Sequence, residues 1–365
     1  MSEVPHMNAA DMKSLRAQID EIDIALQKLV EDRMRLGLRI AESKSKQSKP
    51  QYFVPEREAE VLKNVRQRCS DDMPVDRIEH IFREIISATR ALESPLKIAI
   101  LGPEATFTHA AADLHFGHAY EGLFQTTIND VFSAVEVGRA DFGVVPVENS
   151  IEGVVNHTLD CLLDSSLQLC GEIEMRVHHD LISNALSLGD VTSVYAHPQA
   201  LAQCRHWLNR RLPGTDLIPS NSTAEAVKMI CEIEGAAAIG SKAAADLYGV
   251  DVLYPNIEDK QNNTTRFLVI GTIGTEPTGN DKTSILLSKS NEPGSLFKLL
   301  EPFATYGVNM TKIESRPSQK EMWDYVFFID FYGHAQDEKV KSLFSELRDR
   351  ASLFKLLGSY PLPVR

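Results

Sequence analysis

The stretch LRAQIDEIDIALQKLVEDRMRLGLRIAESK, Leu15 to Lys44, decides the N-terminal fold. Leu15, Ile19, Ile22, Leu26 and Leu29 recur at steps of four and three, the seam of a helix packed against other helices. The next seam position is Arg33. The apolar stripe resumes at Leu36 and Ile40 and then reaches Lys44. A guanidinium and an ammonium facing a helical interior are expensive unless an anion meets them. A small, multiply charged anion bound inside a helical bundle satisfies both. From Arg33 to Lys49 there are six cations, Arg33, Arg35, Arg39, Lys44, Lys46 and Lys49, against one acid, Glu42.

That local excess sits in an acidic chain. The net charge of -13 over 365 residues argues against nucleic acid and anionic membrane as partners. The length calls for two or three domains, and 43% hydrophobic with 24% charged residues is a globular composition. No apolar run has the length of a membrane helix, and no basic-then-apolar N-terminal stretch reads as a secretory signal. Cys69, Cys161, Cys170, Cys204 and Cys231 are scattered and never spaced Cys-x-x-Cys. Free thiols in a cytoplasmic protein are therefore expected, with no metal site.

The periodicity predicts a first helix over 11–46, roughly 50 Å long at 1.5 Å per residue. A helix of that length usually pairs with another long helix or another chain. Helices over 56–69 and 74–92 follow, the latter with Ile78, Ile81, Phe82, Ile85, Ile86 and Leu92 on one face. Together they form an all-α module over 1–94 that closes its core by dimerising. The pattern then changes. Strands over 97–102, 142–146, 193–196, 236–240 and 267–271 alternate with helices over 128–137, 199–210 and 222–232, an α/β domain over 95–275. Polar motifs follow three of these strands: Gly102-Pro103-Glu104, Pro146-Val147-Glu148-Asn149-Ser150 and His197-Pro198-Gln199. Ligands of such folds bind beyond strand ends, so two lobes and a cleft are expected. Past a Gly-, Thr- and Pro-rich linker, residues 280–365 read strand, helix, strand, strand, helix, strand, the ferredoxin-like βαββαβ order.

This succession of modules resembles the bifunctional chorismate mutase–prephenate dehydratase family with its C-terminal ACT domain. The motifs that carry the likeness are Leu101-Gly102-Pro103-Glu104, Val145-Pro146-Val147-Glu148-Asn149-Ser150, His197-Pro198-Gln199, Asn263-Thr264-Thr265-Arg266-Phe267, Gly294-Ser295-Leu296 and Glu314-Ser315-Arg316-Pro317. The resemblance implies rearrangement of chorismate to prephenate. It also implies decarboxylation and dehydration of prephenate to phenylpyruvate, feedback inhibition by phenylalanine, and no cofactor.

Chorismate is a dianion that rearranges through a compact pericyclic transition state. The protein must hold one conformer and stabilise charge on the breaking ether bond. Arg33 and Lys44 fit those roles. By the resemblance, Arg16 reaches the site of the partner chain, and Arg57, Glu58, Thr89 and Glu93 complete the substrate contacts. Val54 stands where relatives often carry Asp, which leaves Glu58 to hold the substrate hydroxyl. Glu93 stands where many carry Gln against the ether oxygen. A carboxylate donates only when protonated, and its pKa rises beside a dianion. Mutase activity is therefore expected to fall as pH rises, and Glu93→Gln to flatten the profile.

In the dehydratase, the resemblance makes Thr265 the catalytic threonine, read as a positioned donor or relay to the leaving hydroxyl. Asn149 and Gln199 orient the substrate through neutral amides. Arg266 is read as a carboxylate clamp, although strand alternation would turn it away from the face of Thr265. His178 and His179 are adjacent and cannot chelate one ion from opposite faces. Ala105 replaces the family's usual Gly and stiffens its loop. In the ACT domain, Gly294, Ser295, Leu296, Asn309, Glu314, Ser315, Arg316 and Pro317 are the implied effector site, formed where two copies meet. The protein is thus expected to be at least a dimer. Removing residues 280–365 is expected to leave dehydratase turnover and abolish its response to phenylalanine. Two rival readings stand: a dehydratase whose helical module only dimerises, favoured by Val54 and Glu93, and a non-catalytic amino-acid-binding protein of the same two-lobed shape.

Overall fold

A computed structural model describes residues 9–44, 53–290, 292–317 and 325–363. Lys46, Lys49, the last two residues predicted for the first helix and the start of the strand predicted near residue 323 lie outside them. The chain opens with helices α1 (Ala9–Lys44), α2 (Pro55–Arg68) and α3 (Val75–Glu93). Pro55 begins α2, where its missing N–H leaves no bond unmade. Among the described residues nothing fills the seam of α1: Ile22 is 64% exposed and Leu29 66%. Only the C-terminal half of α1 is covered, by α3. Gly37 permits this approach, because a Cβ there would overlap the methyl of Thr89. The single apolar face expected on α3 is split. Ile86 is buried, whereas Ile81 and Leu92 are exposed.

The α/β part has two lobes. Lobe one contains β1 (Lys97–Leu101), α4 (Phe107–Phe116), β2 (Glu121–Gln125), α5 (Ile128–Glu136), β3 (Phe142–Asn149), β4 (Gly153–Val154), α6 (Asn156–Asp164) and β5 (Gln168–Arg176). The chain then builds lobe two from β6 (Asp180–Ser183), β7 (Ser193–Ala196), α7 (Pro198–Gln203), α8 (Arg205–Arg211), β8 (Asp216–Pro219), α9 (Thr223–Ile230), β9 (Ala236–Gly240), α10 (Lys242–Tyr248) and β10 (Val252–Tyr254). It returns to lobe one as β11 (Thr264–Gly271). The sheets run β2-β1-β3-β11-β5, with β4 on β3, and β10-β6-β9-β7-β8. Lobe two is thus an insertion between β5 and β11, and the chain crosses between lobes at residues 177–179 and 255–263. The helix predicted over 199–210 is two helices, broken at Cys204. The strands predicted over 142–146 and 267–271 are longer. They carry Asn149 and Thr265 inside a paired ladder, not in loops.

The last part holds β12 (Asp281–Lys289), α11 (Ser295–Thr305), β13 (Met310–Pro317), β14 (Tyr325–Tyr332), α12 (Glu338–Arg350) and β15 (Leu353–Pro361), in sheet order β13-β14-β12-β15. Its helices cover one face through Phe303, Phe331, Leu343 and Phe344. The other face joins lobe one: Leu286, Phe328, Leu357 and Tyr360 share a core with Val145, Leu169, Leu268 and Ile270. At Gly358 the backbones of β15 and β5 touch so closely that a Cβ would overlap Leu169. Deleting residues 280–365 would remove Leu286, Val326, Phe328, Leu357 and Tyr360, a quarter of the buried residues of that core, so the deletion is expected to cost the α/β part stability as well as its response to phenylalanine.

Candidate active sites

In the helical module, Arg33 Nη1 donates to Thr89 Oγ1 at 2.7 Å and to the Ile85 carbonyl at 3.4 Å. Thr89 Oγ1 in turn donates to the same carbonyl at 2.7 Å. Arg33 is half-buried, and burial lowers its pKa against the pull of Glu58 and Glu93. Burial raises the carboxyl of Glu93, with Lys44, Arg90 and Arg33 opposing it. Burial also raises that of Glu58, which Arg90 opposes from 2.5 Å. Arg33, Lys44, Glu58, Thr89 and Glu93 therefore form one cluster of opposed charges where α1 meets α3. Two expected members are elsewhere. Arg57 faces outward, paired with Glu60 at 2.5 Å. Arg16 lies exposed on α1, about 25 Å from Arg33 along the helix, so its own cluster is out of reach. The sequence reading missed Arg90. It is 4% exposed and bonds Glu58 and the Phe116 carbonyl, tying α3 to α4.

The second site is a cleft of about 330 Å³ between the lobes, lined by Thr106, Asn149, Gln199, Gln203, Ser222 and Thr265 among others. β3 and β11 pair antiparallel with Thr265 opposite Asn149. Asn149 Nδ2 donates to Thr265 Oγ1 at 2.8 Å and to Asn263 Oδ1 at 2.7 Å. Its Oδ1 accepts from the backbone N–H groups of Ile151 and Glu152 at 3.0 and 3.1 Å. The amide is thus fully committed, and it delivers a donor to the Thr265 oxygen. The threonine's own O–H is left to be donated into the cleft. Behind the pair, Asn263 Nδ2 and His179 Nε2 meet Gln203 Oε1 at 3.0 and 2.7 Å. Because an amide oxygen only accepts, His179 donates from Nε2. Burial lowers its pKa and keeps it neutral. Gln203 was missed, and His179 was weighed only as a metal ligand. Asn263 lies within a quoted motif but was given no role.

Arg266 is not a carboxylate clamp. Alternation along β11 turns it to the far face of the sheet, where it meets Glu172 at 2.8 Å and Asp330 at 2.6 Å. No Lys or Arg is among the described residues lining the cleft. Its anion-seeking groups are instead the first turns of α4 and α9, capped by Thr106 and Ser222 from opposite lobes. Unpaired N–H groups and the helix dipole favour negative charge there. His178 and His179 diverge as expected: His178 pairs with Glu258 at 2.8 Å while His179 points inward.

Ala105 has φ 61, in the left-handed region. Its methyl is buried in the lobe-two core with Val227 and Ala244.

In the last domain, Gly294 caps α11 with φ 79. The Ser295 hydroxyl donates to the Ser290 carbonyl at 2.8 Å, and Leu296 is exposed. Cross-strand register puts Pro317 level with Lys289, at this end. Asn309 precedes β13 at the other end, about 23 Å away. The expected effector residues therefore do not meet within one chain. Arg316 is also turned away: it pairs with Asp160 of α6 at 2.7 Å, and Glu314 shares its face. Ser315 and Pro317 look to the opposite, exposed side.

A helical module with opposed charges at its core, a two-lobed cleft with an amide–hydroxyl pair, and a ferredoxin-like sheet packed behind that pair define a multidomain enzyme acting on small anions. Family models match in the same order: chorismate mutase type II over residues 15–94, prephenate dehydratase over 98–274 and ACT domain over 283–349. The chain is 47% identical over 355 residues to the bifunctional chorismate mutase/prephenate dehydratase of Aquifex aeolicus, covering 96% of this chain and 98% of that one. It is 44% identical over 358 residues to the protein of the same description from Pseudomonas aeruginosa, covering 97% and 98%. A crystal structure of prephenate dehydratase in complex with L-Phe from Arthrobacter aurescens superposes with TM-score 0.68 at 34% identity, over 73% of this chain and 90% of that one. The chain belongs to the bifunctional chorismate mutase/prephenate dehydratase family, and its two activities are chorismate mutase and prephenate dehydratase. No described helix is long and apolar enough to cross a membrane.

Proposed function

We propose that residues 1–94, 95–275 and 280–365 act as mutase, dehydratase and phenylalanine sensor of one cytoplasmic enzyme of phenylalanine synthesis. In the mutase, Arg33 and Lys44 hold the carboxylates of chorismate, and protonated Glu93 donates to the ether oxygen as its bond breaks. Thr89 orients Arg33, and Glu58 receives the ring hydroxyl. Arg16 completes the site of a second copy laid along the exposed α1 seam, which makes the enzyme at least a dimer. In the dehydratase, the electron pair of the breaking C–CO₂ bond enters the ring and aromatises it. The ring C–O bond breaks and its oxygen leaves as water. Thr265 donates the proton to that oxygen and regains one from solvent. Asn149 fixes the threonine rotamer, Gln199 orients the side chain, and the first turns of α4 and α9 take the carboxylates. Phenylalanine binds where the Gly294–Leu296 turn meets the Asn309 end of a neighbouring ACT sheet. The L-Phe bound by the Arthrobacter protein supports this reading.

The observation that carries the dehydratase reading is the 2.8 Å bond from Asn149 to Thr265 inside the cleft. Phenylpyruvate formed from prephenate is read by its absorbance in alkali. Thr265→Val should lower kcat by about 10²–10³-fold, and Thr265→Ser should stay within about tenfold of wild type. Wild-type turnover in the valine variant would remove Thr265 from the chemistry.

A further inference from the structure

The pairing that sets Thr265 opposite Asn149 sets Arg266 opposite Glu148, one residue along. Alternation sends the first pair into the cleft and the second out of the back of the sheet. The regulatory sheet has a matching pair, Lys312 on β13 opposite Asp330 on β14. The two pairs meet. Lys312 Nζ lies 2.5 Å from Glu148 Oε2, and Arg266 Nη2 lies 2.6 Å from Asp330 Oδ2. Each sheet offers one acid and one base, and the signs cross. Behind them Glu172 takes Arg266 and also Lys282, the latter at 2.7 Å. Three cations thus face three carboxylates, and the Ser284 hydroxyl donates to Asp330 at 2.6 Å. The Glu172 side chain is 0% exposed, Asp330 11% and Arg266 12%, so the charges are weakly screened and their geometry is demanding.

We propose that Glu148 and Arg266 are positioning residues of the dehydratase, held by Lys312 and Asp330, so that the seating of the ACT sheet sets the geometry of the Asn149–Thr265 pair. The same contacts are the route by which the effector changes dehydratase turnover. This second part rests on the phenylalanine-sensing reading above; the first part does not. Lys312, Glu314 and Arg316 share one face of β13, and that face is pinned to lobe one at Glu148 and Asp160. A ligand that moves β13 therefore pulls on the residue next to Asn149. Asn149 has no slack, because its amide already holds Thr265, Asn263 and two backbone N–H groups. Displacements of about 1 Å in such a pair are enough to change turnover strongly.

The test uses the full chain and the variants Lys312→Met, Lys312→Arg, Glu148→Gln and the Lys312→Met/Glu148→Gln double. Lys312 is the member whose change leaves the buried Glu172 network intact. Lys312→Met should lower kcat on prephenate about fivefold to tenfold with KM within about twofold, and leave mutase turnover unchanged. Lys312→Arg should keep most of kcat. The double variant should be no slower than the worse single one, since both remove one contact. Phenylalanine at saturation should inhibit Lys312→Met at least about threefold less than wild type, although calorimetry still detects its binding. A wild-type kcat in Lys312→Met, or losses that multiply in the double variant, overturns the positioning role. Undiminished inhibition of Lys312→Met overturns the coupling role. If wild-type protein binds no phenylalanine, the sensing reading fails and the coupling role with it. The kcat comparisons then decide the positioning role alone.

Discussion

In the proposed mutase site Glu93 is the donor to the breaking ether of chorismate, and a carboxylate donates only when protonated. Burial holds its carboxyl above the usual range even with Lys44, Arg90 and Arg33 pulling down. The donating form exists below that raised pKa and is lost as pH climbs through it. Mutase kcat/KM should therefore decline with rising pH, and Glu93→Gln, which donates at every pH, should give a flat profile. A variant whose profile matches wild type would take Glu93 out of the site. At Ala105 two effects oppose. The left-handed φ costs about 1–2 kcal/mol, while burial of the methyl and a stiffer unfolded chain return a similar amount. Ala105→Gly should change the unfolding free energy by less than about 1 kcal/mol, read from denaturant melts. Thr265, Asn149 and Gln199 were proposed from the motifs that carry the family resemblance, and the structure brings all three to one cleft. Arg90 and Gln203 were not legible, because each acquires meaning only from a partner distant in sequence: Phe116 for one, Asn263 for the other.

At the scale of elements, α1 and β11 show where period reading succeeds and fails. The four-and-three spacing of α1 identified a helix and a face correctly. It could not say that the face lacks a cover among the described residues, since periodicity records an apolar stripe and not its neighbour. Leu26 is 52% exposed, Leu29 66% and Ile40 56%. A second copy on this seam would also bring Arg16 to the partner's cluster. Ile22→Glu, placed away from both clusters, should shift the sedimentation coefficient toward a smaller species and cut mutase turnover at least about tenfold, while prephenate turnover persists. An unchanged assembly with full mutase activity would remove the seam from the dimer. For β11, alternation at Thr265 and Arg266 was visible in the sequence and is realised. The partner of Arg266 was hidden because it lies in another domain, 64 residues further on.

The whole molecule is more tightly joined than its linkers suggested. Residues 93–95 read as a boundary, yet α3 is docked on lobe one through Arg90 to Phe116, Ser87 to Ala119 and Glu84 to His118. The ACT sheet shares a core with lobe one. Composition and punctuation marked the ends of modules; they carry no record of burial between modules. The ACT and dehydratase parts should accordingly melt in one calorimetric transition, and phenylalanine at about 100 times its Kd should stabilise that transition by about 2.7 kcal/mol. Two separate transitions, with only one shifted by phenylalanine, would contradict the shared core.

The central claim is that both reactions belong to this one chain. It is tested by supplying chorismate as the only substrate and following chorismate absorbance and alkaline phenylpyruvate absorbance together. The account predicts that wild-type protein consumes chorismate and forms phenylpyruvate, whereas Thr265→Val consumes chorismate and stops at prephenate. Wild-type protein that forms phenylpyruvate from prephenate but leaves chorismate untouched would contradict it.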